Sequence, residues 1–308
     1  MLKKTILKNP KICIVGPGIV GQATGKVFAL HDYDVTFLGG SPDKVEKLRS
    51  EGFKAFPKDE LFNGDYTFDI TFLTVPTPTQ NGKISLEAIK SAATDLGRRI
   101  KKLKSYHLVV VKSTVPPGTS ENLVIKIIEK YSGKKVGVDF GCCMNPEYLR
   151  EKTAFEDTLQ PWIVVIGQYD KKSGEILSAL YRKFDCPVVT CSLQEAEMQK
   201  YVHNLYNAVK ITFFNEMRHV AKSIGADAEK IFKLTAISAE GMWNPKYGIR
   251  DFGPFQGSCL PKDTQAFLEF AENKGLDIDL LRSVIQVNNK HAKQLGLDKP
   301  KYEIGTRL

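Results

Sequence analysis

The sequence predicts two domains: an α/β domain with a doubly wound, mostly parallel sheet, followed by an all-α domain that contains a long central helix. Three observations lead to this fold class. Short apolar, β-rich runs alternate with helix-compatible stretches through about residue 191, which is typical of a parallel sheet covered by helices. A glycine-rich turn joins the first run to the first helix. Beyond residue 192 the alternation stops and helical patterns continue to about residue 296.

The first two strands and the helix between them show this order most clearly. Residues 11–15 (KICIV) are a short apolar run, the stretch after Gly21 is helix-compatible as far as Leu30, and residues 33–38 (YDVTFL) form a second predicted strand. The turn between strand and helix has the form GxGxxG. Strand, glycine turn, helix and strand in this order are the context that a dinucleotide-binding, Rossmann-like domain requires.

Each residue of the turn has an expected role in binding a nucleotide. Gly16 permits the tight turn, Gly18 lets the backbone approach a pyrophosphate, and Gly21 allows close packing of the helix on the strand. The backbone amides of Ile19 and Val20, at the helix N-terminus, are expected to bind the phosphates.

The same alternation continues to the end of the first domain. Further strands are predicted at 70–75, 108–112, 136–140 and 162–166, and further helices at 85–104, 120–131 and 171–184. Two proline-stiffened loops, residues 75–79 with Thr77 and residues 113–119 with Ser113 and Thr114, follow two of these strands. Loops after parallel strands share one edge of the sheet with the glycine turn, so we expect either a shared ligand site or ordinary turns.

The helical part begins with a capping box, in which Ser192 precedes Glu195 by three residues. No breaker follows until Gly225, which predicts a helix of about 30 residues. Further helices are predicted at 227–238, 263–274 and 277–294. The predicted organisation is therefore a nucleotide-binding domain at 1–191, a helical domain at 192–296 and a tail at 297–308.

Composition excludes several classes of protein. Hydrophobic residues make up 42% and charged residues 26% of the 308, as in an ordinary globular chain. No stretch approaches the roughly 18 uninterrupted apolar residues that span a bilayer. Residues 8–10 (KNP) also interrupt any secretory signal near the N-terminus. We therefore expect a soluble, cytoplasmic protein without a membrane partner.

Charge and cysteine usage narrow the ligands further. The six cysteines lack paired spacing and include no CxxC, so we expect reduced thiols and no metal site. The net charge of +9 suits anionic ligands such as nucleotides or phosphorylated sugars. The densest basic run, residues 98–104, ends a predicted helix, where the helix dipole favours cations. Nothing else resembles a nucleic-acid-binding module, and no nucleic-acid partner is expected.

Three segments carry residues suited to chemistry, each with a plainer structural alternative. Cys259 lies in a loop entering a helix, close to a lysine, which favours a nucleophilic thiolate, although most cysteines are small buried hydrophobes. Lys200 and Asn204 are four residues apart on the long helix, so they share a face that either binds substrate oxygens or is solvated. Glu147 and Glu151 follow a strand, where a carboxylate serves as a general base or merely begins a helix.

The chain carries, in this order, the GxGxxG turn, VPTPT, STVPPGT, NPEYLRE, EAEMQKYVHNLYNAVKITFFNE and GSCLPKD. In content and order these segments resemble the UDP-glucose dehydrogenase family, which includes relatives acting on UDP-N-acetylmannosamine and GDP-mannose. The similarity covers roughly residues 11–290, and the last two motifs are quite specific. It implies an NAD-dependent, four-electron oxidation of a nucleotide sugar, with UDP-glucose as the first expectation, at the C6 alcohol to a carboxylate.

The resemblance also implies roles for residues at matching positions. Cys259 resembles the nucleophile that holds the C6 aldehyde as a thiohemiacetal, which a second hydride transfer converts to a thioester. Lys200 resembles the lysine that stabilises the oxyanion, and Asn204 resembles a substrate contact. Glu147 resembles the carboxylate assigned to thioester hydrolysis.

Further positions match family residues around the water, the cofactor and the sugar. Asp263 and Thr114 resemble the pair that positions a water, and Glu151 and Lys262 resemble residues near the nicotinamide. The implied cofactor-binding residues are Gly16, Gly18, Ile19, Val20, Gly21, Lys44, Thr77, Ser113, Thr114, Glu151 and Lys262. The implied substrate-binding residues are Glu147, Leu149, Lys200, Asn204 and Gly257.

Departures from the family pattern bear on the cofactor and the substrate. Gly39 stands where the second strand should end in an acid for the adenosine ribose, so either NAD binds less tightly or NADP is accepted near Lys44. Gln256 replaces a glycine ahead of Cys259. The family continues into a third, α/β domain that grips the nucleotide diphosphate, whereas this sequence ends at Leu308. We therefore expect the chain to act alone or with a partner that supplies this domain.

Two other functions stay open beside the nucleotide-sugar dehydrogenase. A two-electron dehydrogenase of the 3-hydroxyacid or 6-phosphogluconate type shares a nucleotide domain followed by a helical one and needs no cysteine. A non-catalytic relative would use the helical part as a binding or structural scaffold. Under all three, family analogy predicts a homodimer formed through the long helix.

Overall fold

The computed structural model describes residues 9–58, 67–80, 82–249, 253–257 and 259–297. Its chain divides into two compact units, Met1–His203 and Asn204–Leu308. The division falls within the long helix, Leu193–Ser223, which has 31 residues as the sequence predicts. The predicted tail at 297–308 lies outside the described residues except for Leu297.

A doubly wound sheet forms the first unit. Its described strands are β1 (Lys11–Val15), β2 (Asp34–Leu38), β3 (Lys54–Phe56), β4 (Ile70–Leu73), β5 (Thr79–Gln80), β6 (Lys83–Ile84), β7 (His107–Val111), β8 (Phe140–Met144), β9 (Val164–Gln168) and β10 (Val188–Ser192). Strands β5 and β6 form a separate antiparallel ribbon. The others form one sheet in the order β10-β9-β8-β7-β4-β1-β2-β3. Neighbouring strands are parallel except for β8 and β9, so the predicted α/β fold class is confirmed.

Helices connect the strands and then make up the second unit. The described α-helices are α1 (Ile19–Leu30), α2 (Pro42–Ser50), α3 (Glu87–Lys102), α4 (Lys126–Ser132), α5 (Ala154–Leu159), α6 (Lys171–Leu180), α7 (Leu193–Ser223), α8 (Ala228–Ser238), α9 (Glu240–Trp243), α10 (Leu260–Asn273) and α11 (Asp279–Gln294). A π-helical segment, Ser120–Ile125, leads directly into α4. No described helix is long and apolar enough to cross a membrane.

Alternate residues of the central strands enter two apolar layers, one on each face of the sheet. Cys13 of β1 belongs to the layer that contains Leu96 of α3, whereas its neighbour Ile14 belongs to the layer that contains Phe28 of α1. Burial on both faces explains why these strands are continuous apolar runs. Burial also raises the pKa of the Cys13 thiol to about 12, so this cysteine packs as a small hydrophobe.

One strand predicted from the sequence is misplaced, and β3, β5, β6 and β10 were not predicted. The predicted strand at 136–140 is wrong, because residues 137–139 form a turn beside which the Lys135 backbone N–H donates to Asp139 Oδ2 at 2.9 Å, and of the five residues only Phe140 belongs to a strand, β8. The strand lies one segment later, as β8, whose sequence FGCCM lacks the β-branched residues that mark strands. Strand β10 was not predicted, because it is partly exposed and runs directly into the capping box of α7.

The capping box has the predicted geometry. The Ser192 hydroxyl accepts from the Glu195 N–H at 3.2 Å, and the Ser192 N–H donates to the Glu195 carboxylate at 2.7 Å. Both hydrogen bonds satisfy backbone or side-chain groups that a helix start leaves unpaired. The sequence therefore locates the beginning of α7 to within one residue.

Candidate active site

A cleft opens where the carboxyl ends of β1 and β4 lie side by side, at the reversal of strand order that binds ligands in such sheets. Its volume is about 710 Å³. The predicted site residues that line it are Gly16, Gly18, Ile19, Val20, Lys44, Thr77, Ser113, Thr114 and Glu147. Parallel strands place their following loops at one edge, so residues far apart in the sequence meet here.

The three glycines of the turn differ in what surrounds them. Gly16 has φ +96°, and a Cβ on it would lie 2.9 Å from the Val75 backbone. A Cβ on Gly21 would lie 2.4 Å from the Gly16 carbonyl oxygen and 2.6 Å from Thr74 Oγ1. A Cβ on Gly18 would meet no protein atom within 4 Å, although Gly18 lines the cleft. The surrounding atoms thus require glycine at 16 and 21. At Gly18 they leave the backbone open to a ligand in the cleft, and this position is called the open approach below.

This open approach lies directly before the first turn of α1, whose N-terminal amides lack partners within the helix. Such amides, together with the positive end of the helix dipole, favour a phosphate group. The turn therefore fits the pyrophosphate of a dinucleotide, and Gly18 leaves room for it.

Hydrogen bonds tie the glycine turn to the two proline loops. Thr74 Oγ1, directly before the first proline loop, donates to the carbonyls of Val15 and Gly16 at 2.9 and 2.8 Å. Ser113 Oγ donates to the Val75 carbonyl at 2.6 Å. Thr77 Oγ1 donates to the carbonyl of Thr114, at 2.8 Å. The hydroxyls therefore bind the loops into one rim, and a ligand in the cleft meets a preformed backbone surface.

The end of β2 carries no carboxylate. Gly39 and Gly40 follow it with φ +86° and +98°, a region that favours glycine. Lys44 and Lys58 line the cleft beside them, and Lys58 pairs with Asp95 at 2.6 Å. The end of the cleft beside β2 is therefore lined by two glycines and two lysines, one of which is paired with Asp95.

Glu147 and Lys200 form a buried ion pair that reaches the cleft. Lys200 Nζ lies 2.9 Å from Glu147 Oε1 and donates to the Glu147 carbonyl at 2.5 Å. The other carboxylate oxygen accepts from the Leu149 N–H at 2.8 Å. The Lys200 side chain is 5% exposed and that of Glu147 is 16% exposed. This arrangement fixes the Glu147 carboxylate at the wall of the cleft, with the Lys200 ammonium group paired to it.

Glu151 does not share this position. It begins a short 3₁₀ turn, Glu151–Thr153, and is exposed. Residues 145–150 are irregular, so the four-residue spacing between Glu147 and Glu151 does not place them on one helical face. Among the residues described, Glu151 is not part of the cleft lining, whereas Glu147 is.

Sequence reasoning missed two buried charged residues. Lys112 lines the cleft, and burial lowers its pKa to about 8 against the opposing influence of the Glu147 carboxylate. Glu197 of α7 accepts from the backbone N–H groups of Gly118 and Ser120 at 2.5 and 2.7 Å and so fixes the loop that carries Thr114. Lys112 could have been predicted as a cleft residue, because a lysine directly after an apolar strand is unusual. Glu197 could not, because in the sequence it is one of several charged residues on a helix.

The remaining predicted residues lie in the second unit. Cys259 is exposed and directly precedes α10, and its carbonyl accepts from the Asp263 N–H at 2.9 Å. Lys262 pairs with Asp263 at 2.5 Å, and that carboxylate raises the pKa of Lys262. Gly257 has φ +86°. Asn204 is exposed on α7. The cysteine therefore occupies the helix-entry position that the sequence predicts.

Two family models match the chain in succession. Residues 58–185 match the NAD binding domain of the UDP-glucose/GDP-mannose dehydrogenase family. Residues 194–290 match the central domain of the same family. Together they cover more than half of the chain, and they follow the α/β and helical parts in order.

Individual proteins similar to this chain are named as GDP-mannose or UDP-glucose dehydrogenases. A GDP-mannose 6-dehydrogenase of Pseudomonas aeruginosa is 39% identical over 304 residues, which are 92% of this chain and 69% of that protein. The corresponding protein of Pseudomonas syringae pv. tomato is 35% identical, and the chain spans 61% of its length. A UDP-glucose 6-dehydrogenase of Haloferax volcanii is 34% identical over 92% of this chain and 71% of that protein.

Solved structures agree with the sequence comparisons. A ternary complex of GDP-mannose dehydrogenase from Pseudomonas aeruginosa superposes with a TM-score of 0.87 at 32% identity, over 92% of this chain and 69% of that one. A UDP-glucose dehydrogenase from Pyrobaculum islandicum gives 0.70 at 32% identity, over 96% and 73%. The chain belongs to the UDP-glucose/GDP-mannose dehydrogenase family, and NAD is the cofactor of its first domain.

Proposed function

We propose that the protein oxidises the C6 hydroxymethyl group of a nucleotide sugar to a carboxylate through a covalent intermediate on Cys259. The observation that carries this proposal is the Glu147 carboxylate, which lines the nucleotide cleft and is paired with the buried Lys200 ammonium group. A buried ammonium group and a fixed carboxylate are the two groups needed to stabilise an oxyanion and to activate a water. Family membership supports the reaction class, and the cysteine chemistry is the inference from the matching GSCLPKD segment.

NAD⁺, held by the glycine turn and the two proline loops, would supply the hydride acceptor for each of the two oxidations at C6. Between them, the Cys259 thiolate attacks the aldehyde carbon, so an S–C bond forms and the carbonyl π pair becomes an alkoxide that takes up a proton. The second oxidation leaves a thioester. Water then attacks the thioester carbon, and the thiolate departs as the carboxylate forms. One alcohol, one water and two NAD⁺ thus yield a carboxylate, two reduced cofactors and three protons.

The polar residues divide the remaining work. Lys200 donates its ammonium N–H groups to the oxygen that becomes negative during aldehyde capture and hydrolysis. Glu147 accepts the proton of the attacking water, which Thr114 and Asp263 position. Asn204 contacts the sugar. The proposed cofactor contacts are those of the turn residues, Lys44, Thr77 and Ser113. Glu151 and Lys262 are assigned to the nicotinamide. Leu149 and Gly257 are assigned to the sugar.

The substrate is a nucleotide sugar in this proposal. UDP-glucose is the substrate that the sequence motifs favour. GDP-mannose is favoured by the relatives of 35–39% identity and by the structural match of 0.87. Both therefore belong in the test, together with UDP-N-acetylmannosamine.

A homodimer is the proposed assembly. Helix α7 exposes an apolar stripe at the spacing of one helical face, formed by Met198, Val202, Leu205 and Val209, each at least half exposed. Burying such a stripe against a second copy removes apolar surface from water. The proposal places the α7 helices of two chains against each other.

The test measures reduced cofactor by absorbance with the three nucleotide sugars and with NAD⁺ or NADP⁺, for wild type and Cys259→Ala. We expect turnover with at least one sugar and a loss of about 1000-fold or more in the variant. An equally active variant would instead support a two-electron dehydrogenase. A wild type that binds NAD⁺ but shows no turnover with any of these sugars would support a binding or structural scaffold.

A further inference from the structure

Lys112 is a buried cation at the end of β7 that the proposed chemistry leaves without a task. It is 6% exposed and lines the cleft with Thr114 and Glu147. Its Nζ donates to Asn145 Oδ1 at 2.9 Å and points to the Asn145 carbonyl at 3.4 Å. Burying a lysine ammonium group costs desolvation free energy, which hydrogen bonds or ion pairs to its neighbours must offset. The contacts of Lys112 should therefore show what it does.

Asn145 is held from several elements at once. Its N–H donates to the Val111 carbonyl at 2.8 Å, and its Nδ2 donates to the Val165 carbonyl at 2.8 Å. Its Oδ1 accepts from the Tyr181 hydroxyl at 2.6 Å as well as from Lys112. This residue, 1% exposed, is therefore a fixed point two residues before Glu147.

Two lysines hold the irregular segment 145–147 at its two ends, Asn145 and Glu147. Lys112 holds Asn145 from β7, and Lys200 holds the carboxylate and carbonyl of Glu147 from α7. Beyond the backbone bond from the Asn145 N–H to the Val111 carbonyl, side-chain bonds from Lys112, Tyr181 and Lys200 set the position of this irregular segment. A small cavity of about 50 Å³, lined by Lys112, Asn145 and Glu147 among others, lies behind it.

We propose that Lys112 is a positioning residue, which through Asn145 holds the Glu147 carboxylate in place for hydrolysis of the thioester. The proposal rests on the proposed function, because it assigns Glu147 to that step. Lys112 touches neither the sulfur nor the sugar in this account. Its contribution is to keep the segment from moving away when Lys200 turns toward a substrate oxygen.

The charge of Lys112 is expected to matter as much as its length. The Glu147 carboxylate favours its protonated form, Lys200 disfavours it, and burial lowers its pKa to about 8. The Tyr181 hydroxyl shares Asn145 Oδ1 with it, and Asp157, which lines the small cavity, is neutralised by Arg150 at 2.7 Å. Above pH 8 the ammonium loses its proton and its charge-assisted bond to Asn145, which weakens the hold on the segment.

The experiment compares wild type with Lys112→Met, which keeps length without charge, and Lys112→Arg, which keeps charge at every pH used. In Lys112→Met we expect kcat to fall about 10- to 100-fold with the KM for NAD⁺ little changed. Acid-quenched samples should then contain more thioester on Cys259, measured by intact mass. In Lys112→Arg most of kcat should return, and the decline of the wild-type rate through about pH 8 should be absent.

A second readout does not depend on turnover. Hydrogen exchange of peptides covering residues 145–151 should speed up in Lys112→Met and stay near wild type in Lys112→Arg, while thermal melting reports global folding. Unchanged exchange, or hydrolysis at the wild-type rate in Lys112→Met, would overturn the positioning role. A rise in the KM for NAD⁺ without thioester accumulation would assign Lys112 to the cofactor instead. If wild type shows no turnover, the proposed function fails, and the exchange data alone decide whether Lys112 holds the segment.

Discussion

Replacing Gly21 with alanine tests whether the packing of α1 sets both the stability of the nucleotide domain and its affinity for NAD⁺. In a solvated helix, this change gains about 1 kcal/mol because glycine is the poorer helix former. Here the new methyl group would lie 2.4 Å from the Gly16 carbonyl oxygen and 2.6 Å from Thr74 Oγ1. Ordinary contacts begin near 3.4 Å, so helix and turn must separate by about 1 Å.

The separation has a cost in stability and a cost in binding. A contact of 2.4 Å with a backbone oxygen puts the cost of overpacking in the upper part of its usual range, about 2–3 kcal/mol, which exceeds the propensity gain of about 1 kcal/mol. We expect a net loss of about 1–2 kcal/mol and a Tm lower by roughly 3–6 °C for a unit of this size. Moving the first-turn amides of α1 should also weaken NAD⁺ binding by about tenfold or more, or ~1.4 kcal/mol.

Gly18→Ala is the matched control, because a Cβ there meets no protein atom within 4 Å. Its backbone, at φ −78°, also accepts alanine. The control should keep the wild-type Tm within about 2 °C. It should still lose affinity for NAD⁺, because its methyl group enters the space left for the pyrophosphate. Thermal melting and calorimetric titration with NAD⁺ measure both effects. A Gly21→Ala protein as stable as wild type would refute the packing argument.

Two further predictions concern the buried histidine of β7 and the exposed stripe of α7. Burial lowers the pKa of His107 to about 4, so the unfolded chain binds a proton first as the pH falls, and stability is lost between pH 6.5 and 4. Thermal melting between pH 6.5 and 4 should show the free energy of unfolding falling by about 3 kcal/mol, and by less in His107→Gln. The same dependence of stability on pH in both proteins would contradict this assignment. Leu205→Glu should convert a dimer into a monomer in sedimentation, whereas Lys222→Glu, outside the stripe, should not. A wild type that sediments as a monomer at micromolar concentration would contradict the dimer.

The features predictable from the sequence are those that depend on local pattern and strand order. GxGxxG between a strand and a helix identifies the turn, and a parallel sheet then brings Thr77 and Ser113 to the same edge. The capping box at Ser192 locates the start of α7 for the same reason, because its bonds are local. The glycine turn and the two proline loops of the cleft lining were therefore predictable, whereas Lys58, Ala88, Ser91 and Lys112 were not.

The remaining features depend on contacts between distant segments. Lys112 and Asn145 are 33 residues apart, and Glu197 binds the loop at Gly118 across 79 residues. No periodicity marks such pairs, because each residue alone has the composition of an ordinary strand end or helix face. Strand β8 was misplaced because FGCCM is stabilised by burial between β7 and β9 and has little intrinsic strand preference.

The covalent mechanism is tested by the ratio of reduced cofactor formed to nucleotide sugar consumed, measured together with the intact mass of the quenched protein. Two reduced cofactors should form per carboxylate product, and a covalent adduct should map to Cys259 and be absent in Cys259→Ala. A ratio of one, with an aldehyde or ketone product and no adduct at Cys259, would contradict it.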